Sequence, residues 1–320
     1  MPSIKQLDKK TIAKIAAGEV VERPLSVVKE LTENAIDAGS TEIFIELKDG
    51  GNTLIRISDN GCGMSKEDVE MCVRSHTTSK LSEIDDLTSL RTLGFRGEAL
   101  YSISAVSRLT VTSRAKGSED AHSITVESGA ASPAETASRA PGTTIEVENL
   151  FFNVPARMKF QKSSRTEIQA VEQLITRLMI AFPEISFRLS HNGSEVVSAP
   201  VAETRMERIA HVLGKDLAAH TQQAGGTLKG MELTAYFGLP DLSFSNRRYQ
   251  IFFVNGHIVK DKTMSMAVDI AYKGLINPSR YPLVVLFLDV PPSDADFNVH
   301  PAKTEVRFRD ATLVRGLIVG

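Results

Sequence analysis

The sequence predicts an α+β fold of two domains, each an antiparallel sheet with helices on one face. Its 320 residues suggest two or three domains, since a typical domain holds roughly 100–200 residues. Short runs of alternating apolar residues are separated by tight turns, which indicates hairpins. Amphipathic helical segments stand apart from these hairpins instead of alternating with single strands. We therefore predict domains over residues 1–200 and 201–320, divided after Pro200.

The first domain is predicted to contain a helix over residues 24–38, because a proline suits the first turn of a helix and Gly39 suits its end. Strands over 41–47 and 54–59 flank a turn at 49–52, which predicts a hairpin. The other elements predicted there are helices over 8–15, 66–75, 98–106 and 166–182, and strands over 108–113, 143–148, 187–189 and 196–197.

Two stretches of the first domain have no clear period. Residues 76–96 are long for a loop in a compact domain, and such loops are usually lids, binding loops or disordered segments. Residues 115–142 are rich in alanine, serine and glycine, which indicates a variable surface excursion. For the second domain the periods predict helices over 204–213, 262–272 and 311–319, and strands over 231–237, 250–254 and 283–289.

Composition excludes several classes of protein. Hydrophobic residues at 42% and charged residues at 24% are ordinary for a globular chain and exclude a disordered or fibrous one. A formal net charge of -2 excludes nucleic-acid binding through bulk charge, so any such contact needs a local basic patch. The two cysteines, Cys62 and Cys72, lack metal-site spacing and favour a reducing, cytoplasmic location. No apolar run approaches the ~20 residues that span a membrane, so no membrane contact is expected.

A first candidate site lies on the predicted helix over 24–38. Glu30, Asn34 and Asp37 are spaced i, i+4, i+7 and fall within a strip about 60° wide, at the edge of the apolar face. Such oxygens suit Mg²⁺, which also keeps waters and phosphate oxygens, and a nearby glutamate can deprotonate an attacking water. The alternative is an amphipathic helix whose polar residues merely border the core.

A second candidate site begins where the strand over 54–59 ends. Asp59 can accept a hydrogen bond from an exocyclic amine such as that of adenine, and Met64 can pack on a flat ring. Gly61 and Gly63 permit unusual backbone angles and a close approach to a ligand. The alternative is an ordinary tight turn.

A third candidate site is the glycine-rich segment at residues 94–97, which leads into a helix at Glu98. Free N–H groups and the dipole at a helix start both favour anions, so this segment suits phosphate. The segment 77–80 adds hydroxyls and Lys80 from the same loop. The pattern differs from a P-loop, and the alternative is a flexible surface loop.

Basic residues form local groups despite the near-neutral chain. Four of them fall at residues 157–165 with no acid among them, and Lys260 and Lys262 form a further pair, as do Arg247 and Arg248. A solvated surface is the alternative to a nucleic-acid contact.

Six sequence strings, which include the three candidate sites and occur in order along the chain, resemble those of a known family. They resemble the ATP-binding fold shared by type II topoisomerases, heat-shock ATPase chaperones, sensor histidine kinases and MutL mismatch-repair proteins, and in detail they are most similar to MutL. The strings are IAAGEVVERP (15–24), KELTENAIDAG (29–39), DNGCG (59–63), GFRGEAL (94–100), FNVPAR (152–157) and NVHPAK (298–303). The resemblance implies a two-layer α/β sandwich ATPase domain followed by a smaller ribosomal-protein-like α+β domain.

The resemblance also implies roles for single residues, with ATP and Mg²⁺ as ligands. Glu30 would be the general base, Asn34 would bind Mg²⁺, and Asp59 would hydrogen-bond adenine with support from Thr143. Lys303 would reach the γ-phosphate from the second domain. The implied ATP-binding residues are Asn34, Asp37, Ala38, Asp59, Gly61, Gly63, Met64, Thr78, Ser79, Lys80, Gly94, Phe95, Arg96, Gly97, Glu98, Ala99, Leu100 and Thr143.

In the family, ATP binding orders a lid and pairs two copies, and the resemblance implies the same here. Residues 76–100 would be the lid, and residues 1–23 would join the homodimer contact. The paired copies would bind DNA nonspecifically through phosphates and signal from a mismatch-recognition protein to strand-processing proteins. The implied DNA-binding residues are Arg157, Lys159, Lys162, Arg165, Lys260 and Lys262.

The sequence departs from the family pattern at one group of basic positions. His257, Lys260 and Lys262 stand where arginines are common, which keeps most of the charge but loses bidentate phosphate contacts. The family's C-terminal dimerisation domain and its endonuclease string are not found, so we expect an N-terminal region without a nicking site. Two further functions remain as alternatives: a nucleotide-gated scaffold in which hydrolysis is only a reset or absent, and another enzyme on the same fold.

Overall fold

The computed structural model describes residues 17–18, 21–78, 93–94, 97–297 and 306–320. The chain divides into two compact units, and the second takes the segment Arg177–Pro183 in addition to Ala202–Gly320. The predicted domain division after residue 200 therefore stays a prediction, since the units do not separate at a single point. The predicted helix over 8–15 lies outside the described residues.

The first unit contains one large sheet and the helices that cover it. Its helices are α1 (Pro24–Asp37), α2 (Lys66–Met71), α3 (Ala99–Ala105), α4 (Pro155–Lys159) and α5 (Ser164–Ala181), whose last turn belongs to the second unit. Its strands are β1 (Glu42–Lys48), β2 (Leu54–Asp59), β3 (Arg108–Arg114), β4 (Ala121–Glu127), β5 (Ala130–Ala131), β6 (Glu135–Ala137), β7 (Gly142–Glu148), β8 (Ser186–His191) and β9 (Ser194–Ala199).

The strands join in the order β5-β4-β3-β7-β2-β1-β8-β9, with β6 paired to β4. The β1–β8 pair is parallel and the other pairs are antiparallel. Burial alternates along β1, where Ile43 and Ile45 are buried while Phe44 between them is 44% exposed. One face of the sheet is therefore covered, as a two-layer sandwich requires.

The helix and hairpin predictions at the start of this unit are confirmed. Pro24 occupies the first turn of α1, and Gly39 follows its end with a φ of 70°. The return strand coincides with the predicted 54–59. The helix predicted over 66–75 ends earlier, at Met71, where the hydroxyl of Thr77 donates to the Met71 carbonyl.

The surface excursion predicted over residues 115–142 is wrong, because three strands form there. β4 pairs with β3 from His122 to Glu127, and threonine and serine hydroxyls hydrogen-bond across the pair. Ala121, Ile124 and Val126 supply the buried side of β4. Its strand character depends on pairing with β3 and is weak in the local sequence.

The second unit is a smaller α+β arrangement. Its helices are α6 (Arg205–Leu213), α7 (Lys215–Ala219), α8 (Lys262–Ala271) and α9 (Ala311–Val319). Its strands are β10 (Thr221–Leu228), β11 (Met231–Gly238), β12 (Ser243–Phe244), β13 (Gln250–Val254), β14 (His257–Val259), β15 (Tyr281–Pro282), β16 (Val284–Asp289), β17 (Ala295–Asp296) and β18 (Arg307–Phe308).

A five-stranded sheet in the order β10-β11-β16-β13-β14 forms the centre of this unit. β13 is buried at all its five positions, as the predicted apolar strand required. Thr204 and Asp261 cap α6 and α8 by accepting from backbone N–H groups in the first turns. None of the helices that the structure describes is long and apolar enough to cross a membrane.

Candidate functional site

The predicted polar strip lies on α1. Glu30, Asn34 and Asp37 are all half-buried, while Val27 and Leu31 on the adjoining sector are fully buried. The Glu30 side chain keeps 32% of its surface exposed. The helix therefore presents a carboxylate, an amide and a second carboxylate along one edge, partly shielded from solvent, as the spacing predicted.

An ion pair lies beside this strip that the sequence analysis does not predict. The Lys29 ammonium lies 2.9 Å from the Glu33 carboxylate and 3.9 Å from that of Glu30. Burial lowers the pKa of Lys29, but Glu33 and Glu30 offset this and leave it raised. A protonated Lys29 therefore keeps a positive charge near Glu30, and its ion pair with the buried Glu33 holds that charge in place.

Asp37 joins α1 to the glycine-rich segment. Its two carboxylate oxygens accept from the backbone N–H groups of Leu93 and Gly94, at 3.0 and 3.1 Å. One turn of the helix thus positions the segment that was predicted to hold phosphates. The i, i+4, i+7 spacing predicts that Asp37 lies in the strip, but it does not predict this contact.

Asp59 lies at the end of β2, buried with 8% of its surface exposed. Its Oδ1 accepts from the Gly61 N–H at 2.8 Å and from the Ser40 hydroxyl at 3.2 Å. The Arg139 guanidinium donates to the Asp59 backbone carbonyl at 2.9 Å. Burial raises the pKa of the Asp59 carboxyl, although these hydrogen bonds and the charge of Arg139 act in the opposite direction.

The difference in Tm between Asp59→Asn and the unsubstituted chain is expected to grow in favour of the variant between about pH 4 and pH 7. Because the folded-state pKa of Asp59 is raised, ionising this carboxyl costs the folded state stability as pH rises through that pKa. An amide does not ionise and escapes the cost. Thermal melts of both proteins across this range measure the effect, and a constant difference would contradict it.

Thr143 belongs to a hydroxyl network that adjoins Asp59. Its hydroxyl lies 2.9 Å from that of Ser113, which also accepts from the Met64 N–H at 2.8 Å. Thr143 is 8% exposed and Ser113 is fully buried. The network fixes the end of the Asp59–Met64 segment against β3 and β7, next to the predicted adenine contact.

The described ends of the predicted lid lie close together. His76 Nδ1 lies 3.2 Å from a carboxylate oxygen of Glu98, just before α3 begins at Ala99. Gly97 has a φ of 62°, and a Cβ there would lie 2.4 Å from the Thr77 carbonyl oxygen, so only glycine fits. The remaining predicted residues of this loop and site, namely Ser79, Lys80, Phe95, Arg96 and Lys303, lie outside the described residues.

Arg157 differs from the other predicted DNA-binding residues. Its guanidinium donates to the backbone carbonyls of Val21 and Gly18, at 2.5 and 2.6 Å, and lies over the Phe151 ring. In this geometry Arg157 holds the segment before α1, and its predicted DNA contact stays a prediction. The other predicted residues are exposed, namely Lys159, Lys162, Arg165, Lys260 and Lys262.

Sequence reasoning missed three residues of the site: Ser40, Ser113 and Arg139. Arg139 stands 80 positions from Asp59, the residue whose carbonyl it contacts. Ser113 stands 49 positions from Met64. No local pattern carries such contacts, because they exist only once the strands have paired.

Glu30 and Asn34 are the residues of this site whose chemistry fits a metal ion. Within the described part of the chain, no group of three or more histidine, cysteine or acidic residues is placed to hold a metal. Asn34 and Glu30 offer oxygens one helical turn apart, which fits Mg²⁺ because this ion takes few protein ligands and completes its shell with waters and phosphate oxygens.

Two family models match the chain. One describes the histidine kinase-, DNA gyrase B- and HSP90-like ATPase and matches residues 22–153, which hold the whole strip and the Asp59 segment. The other describes the C-terminal domain of DNA mismatch repair protein and matches residues 209–320.

Curated relatives and solved structures agree with these matches. DNA mismatch repair protein MutL of Rhizobium meliloti is 46% identical over 99% of this chain, and that of Geobacter sulfurreducens is 46% identical over 96%. The chain spans about half the length of these relatives, 52% and 50%.

The Aquifex aeolicus MutL ATPase domain complexed with ADP superposes with a TM-score of 0.68 at 29% identity, covering 93% of this chain and 98% of that one. The N-terminal domain of a DNA repair protein gives 0.81 at 25% identity, covering 96% and 95%. The chain therefore belongs to the MutL family of DNA mismatch-repair proteins, in the region that carries the family's ATPase fold.

Proposed function

We propose that this chain binds ATP with Mg²⁺, hydrolyses it slowly, and pairs with a second copy when ATP is bound, forming a clamp on DNA. One observation carries the proposal: Asp37, the last residue of α1, and Ala38 directly after it contact the two other candidate segments. Asp37 accepts from Gly94, and the Ala38 carbonyl accepts from the Cys62 N–H at 2.9 Å. The acidic strip, the glycine-rich segment and the Asp59 segment therefore form a single site.

Asp59 would recognise the adenine. Its buried carboxylate is an acceptor for the exocyclic amine, and the Ser113–Thr143 hydroxyl pair would support the ring edge. The carboxylate is desolvated before any ligand arrives, so a hydrogen bond from the base compensates a cost that the fold already bears. This favours adenine over a base that offers a carbonyl oxygen at the same position.

Glu30 would act as general base. Its carboxylate would take a proton from a water as the water oxygen attacks the γ-phosphorus and the bond to the β–γ bridging oxygen breaks, giving ADP and phosphate. Lys29, held by Glu33, would keep the Glu30 carboxylate in place. Asn34 would hold Mg²⁺, which when bound neutralises charge on the phosphates. Lys303 is proposed to contact the γ-phosphate.

DNA would be bound through phosphates by the exposed cations Lys159, Lys162, Arg165, Lys260 and Lys262. The net charge of -2 argues against tight binding by one copy, because the basic groups are few. Two copies double these groups, which makes DNA binding depend on pairing and on salt. The clamp would then link a mismatch-recognition protein to strand-processing proteins.

A nonhydrolysable ATP analogue with Mg²⁺ is expected to convert the chain from monomer to dimer. Light scattering after size-exclusion chromatography measures the mass, with ADP as the control that lacks the γ-phosphate. A dimer would form with the analogue and not with ADP, because only the analogue provides the contact that distinguishes the two states. A monomer at high protein concentration in both nucleotides would rule out the clamp for this chain.

A further inference from the structure

Arg139 contacts two strands beside the proposed ATP site. It stands on the short loop 138–141 between β6 and β7 and is half-buried. Its Nη2 donates to the backbone carbonyl of Asp59 at 2.9 Å, and its Nη1 donates to that of Thr112 on β3 at 3.1 Å. One planar guanidinium therefore joins β2 to β3, across the strand β7 that lies between them in the sheet.

The Asp59 carbonyl lies just beyond the part of β2 that pairs with β7. The register of these two strands ends at Ser58 opposite Thr144, one residue before Asp59. A Cβ at Gly142, where β7 begins, would lie 2.2 Å from the Asp59 carbonyl oxygen, so the two chains are close there. Backbone carbonyls in a protein interior need a donor, and Arg139 supplies one where the strand register stops.

This contact matters because one oxygen of the Asp59 carboxylate is already bound. Its Oδ1 accepts from the Gly61 N–H and from the Ser40 hydroxyl. With Oδ1 and the backbone carbonyl both held, the side-chain torsions of Asp59 have little freedom, and the orientation of the carboxylate follows from the position of its backbone. Loss of the Arg139 contact would free the backbone and allow the carboxylate to turn.

Arg139 also acts on Asp59 through its charge. The guanidinium favours the ionised carboxyl and so opposes the burial that raises the pKa of Asp59. The effect is mutual, because burial lowers the pKa of Arg139 and the charge of Asp59 acts against this. An ionised acceptor makes the stronger hydrogen bond, so the carbonyl contact and the charge both favour the same bond from Asp59 to a donor.

The nearby Arg114 provides a contrast. Its Nε donates to the Ser118 carbonyl at 2.7 Å, and its Nη1 donates to the Arg139 carbonyl at 3.3 Å. Neither acceptor belongs to a residue of the proposed ATP site, so Arg114 supports loops. Arg139 differs because it binds the residue that carries the carboxylate.

We propose that Arg139 is a positioning residue for adenine recognition, which holds the Asp59 carboxylate toward the exocyclic amine of the base. This inference rests on the proposed ATP site and adds to it the residue that sets the preference for a base with an amine. Arg139 acts through Asp59, so its removal should affect those nucleotides that use the Asp59 contact and leave the others unaffected.

Arg139→Ala is expected to weaken ATP binding roughly tenfold, the effect of one hydrogen bond to a charged group. Binding of purine riboside triphosphate, which lacks the exocyclic amine, should change less than about twofold, because independent contacts are additive within that range. Arg139→Lys keeps the charge but loses the planar fork that joins two carbonyls, so it should lose less affinity for ATP than Arg139→Ala does.

Calorimetric titrations of the 320-residue chain with Mg²⁺ and each nucleotide measure these affinities. Arg280→Ala is the matched control, since this exposed arginine of the second unit also donates to a backbone carbonyl, that of Ser243. It should change neither affinity. If Arg139→Ala does not fold, Arg139→Lys provides the same comparison: a loss for ATP alone supports the inference, and equal changes for both nucleotides overturn it.

The unsubstituted chain separates this inference from the proposed function. If it binds ATP no more tightly than purine riboside triphosphate, the proposed adenine contact of Asp59 is wrong, and the role of Arg139 is wrong as well. If it prefers ATP while Arg139→Ala weakens both nucleotides equally or neither of them, the adenine contact stands and Arg139 only supports its loop.

Discussion

Replacing Glu30 with glutamine is expected to lower the rate of ATP hydrolysis by roughly 10²–10⁴-fold, the contribution of a general base. Glutamine keeps the size of the side chain and its place on the edge of α1, but it cannot accept a proton. ATP should bind with an affinity within about threefold of the original, because in the proposed site Glu30 acts on the water while Asp59 and the glycine-rich segment hold the nucleotide.

Single-turnover hydrolysis and equilibrium nucleotide binding measure the two quantities separately. Glu70→Gln is a matched control, since Glu70 is a half-buried glutamate on helix α2 outside the predicted site. Unchanged hydrolysis in Glu30→Gln would show that another group activates the water. Loss of binding alongside hydrolysis would instead mean that Glu30 holds the nucleotide.

The same variant distinguishes the clamp from the nucleotide-gated scaffold. If the ATP analogue and ATP itself both pair two copies of Glu30→Gln, pairing follows from binding alone. Hydrolysis would then serve only to separate the copies. If Glu30→Gln neither hydrolyses ATP nor pairs, Glu30 takes part in the conformational change itself.

Local chemistry explains why much of the fold could be predicted from the sequence. Pro24 and Gly39 mark the ends of α1 because a fixed φ and a free φ suit those positions in any helix. The alternation of Ile43, Ile45 and Leu47 identifies β1 because its other face is exposed. Such signals need no knowledge of distant residues.

The elements that escaped prediction depend on their neighbours. β10 has the sequence TQQAGGTL and is exposed over most of its length, so neither apolar alternation nor strand propensity identifies it. It forms because β11 offers a full set of backbone partners in register. The same holds for β5 and β6, which are two and three residues long at the edge of their sheet.

The residues of the candidate site show the same difference between local and distant signals. Glu30, Asn34 and Asp37 could be grouped from the sequence because helical geometry alone brings them to one edge. The partners of Asp59 could not, because Ser40 reaches it across 19 positions and Arg139 across 80. The sequence therefore predicts which residues carry reactive groups. Only the paired strands reveal which other residues bury those groups and act on their charge.

Gly63→Ala is expected to destabilise the fold by roughly 2–5 kcal/mol, from overpacking together with a left-handed backbone. Gly63 has a φ of 68°, and a Cβ there would lie 1.9 Å from the Arg114 carbonyl oxygen at the end of β3. The neighbours cannot yield easily, because the Cys62 N–H donates to the Ala38 carbonyl and its own carbonyl accepts from Lys116. Relief of the clash must therefore displace the segment that carries Asp59.

Nucleotide affinity should fall with stability in this variant, by at least tenfold, since small displacements of positioned groups have large effects. Gly193→Ala is the matched control: its φ is 81°, but a Cβ there would meet nothing within 4 Å. It should cost only about 1–2 kcal/mol, from the backbone angle alone, and leave nucleotide binding unchanged. Urea unfolding and nucleotide titration of both variants provide the comparison. Equal losses of stability in the two would mean that Arg114 moves aside, and the Asp59 segment would then be less tightly held than its hydrogen bonds indicate.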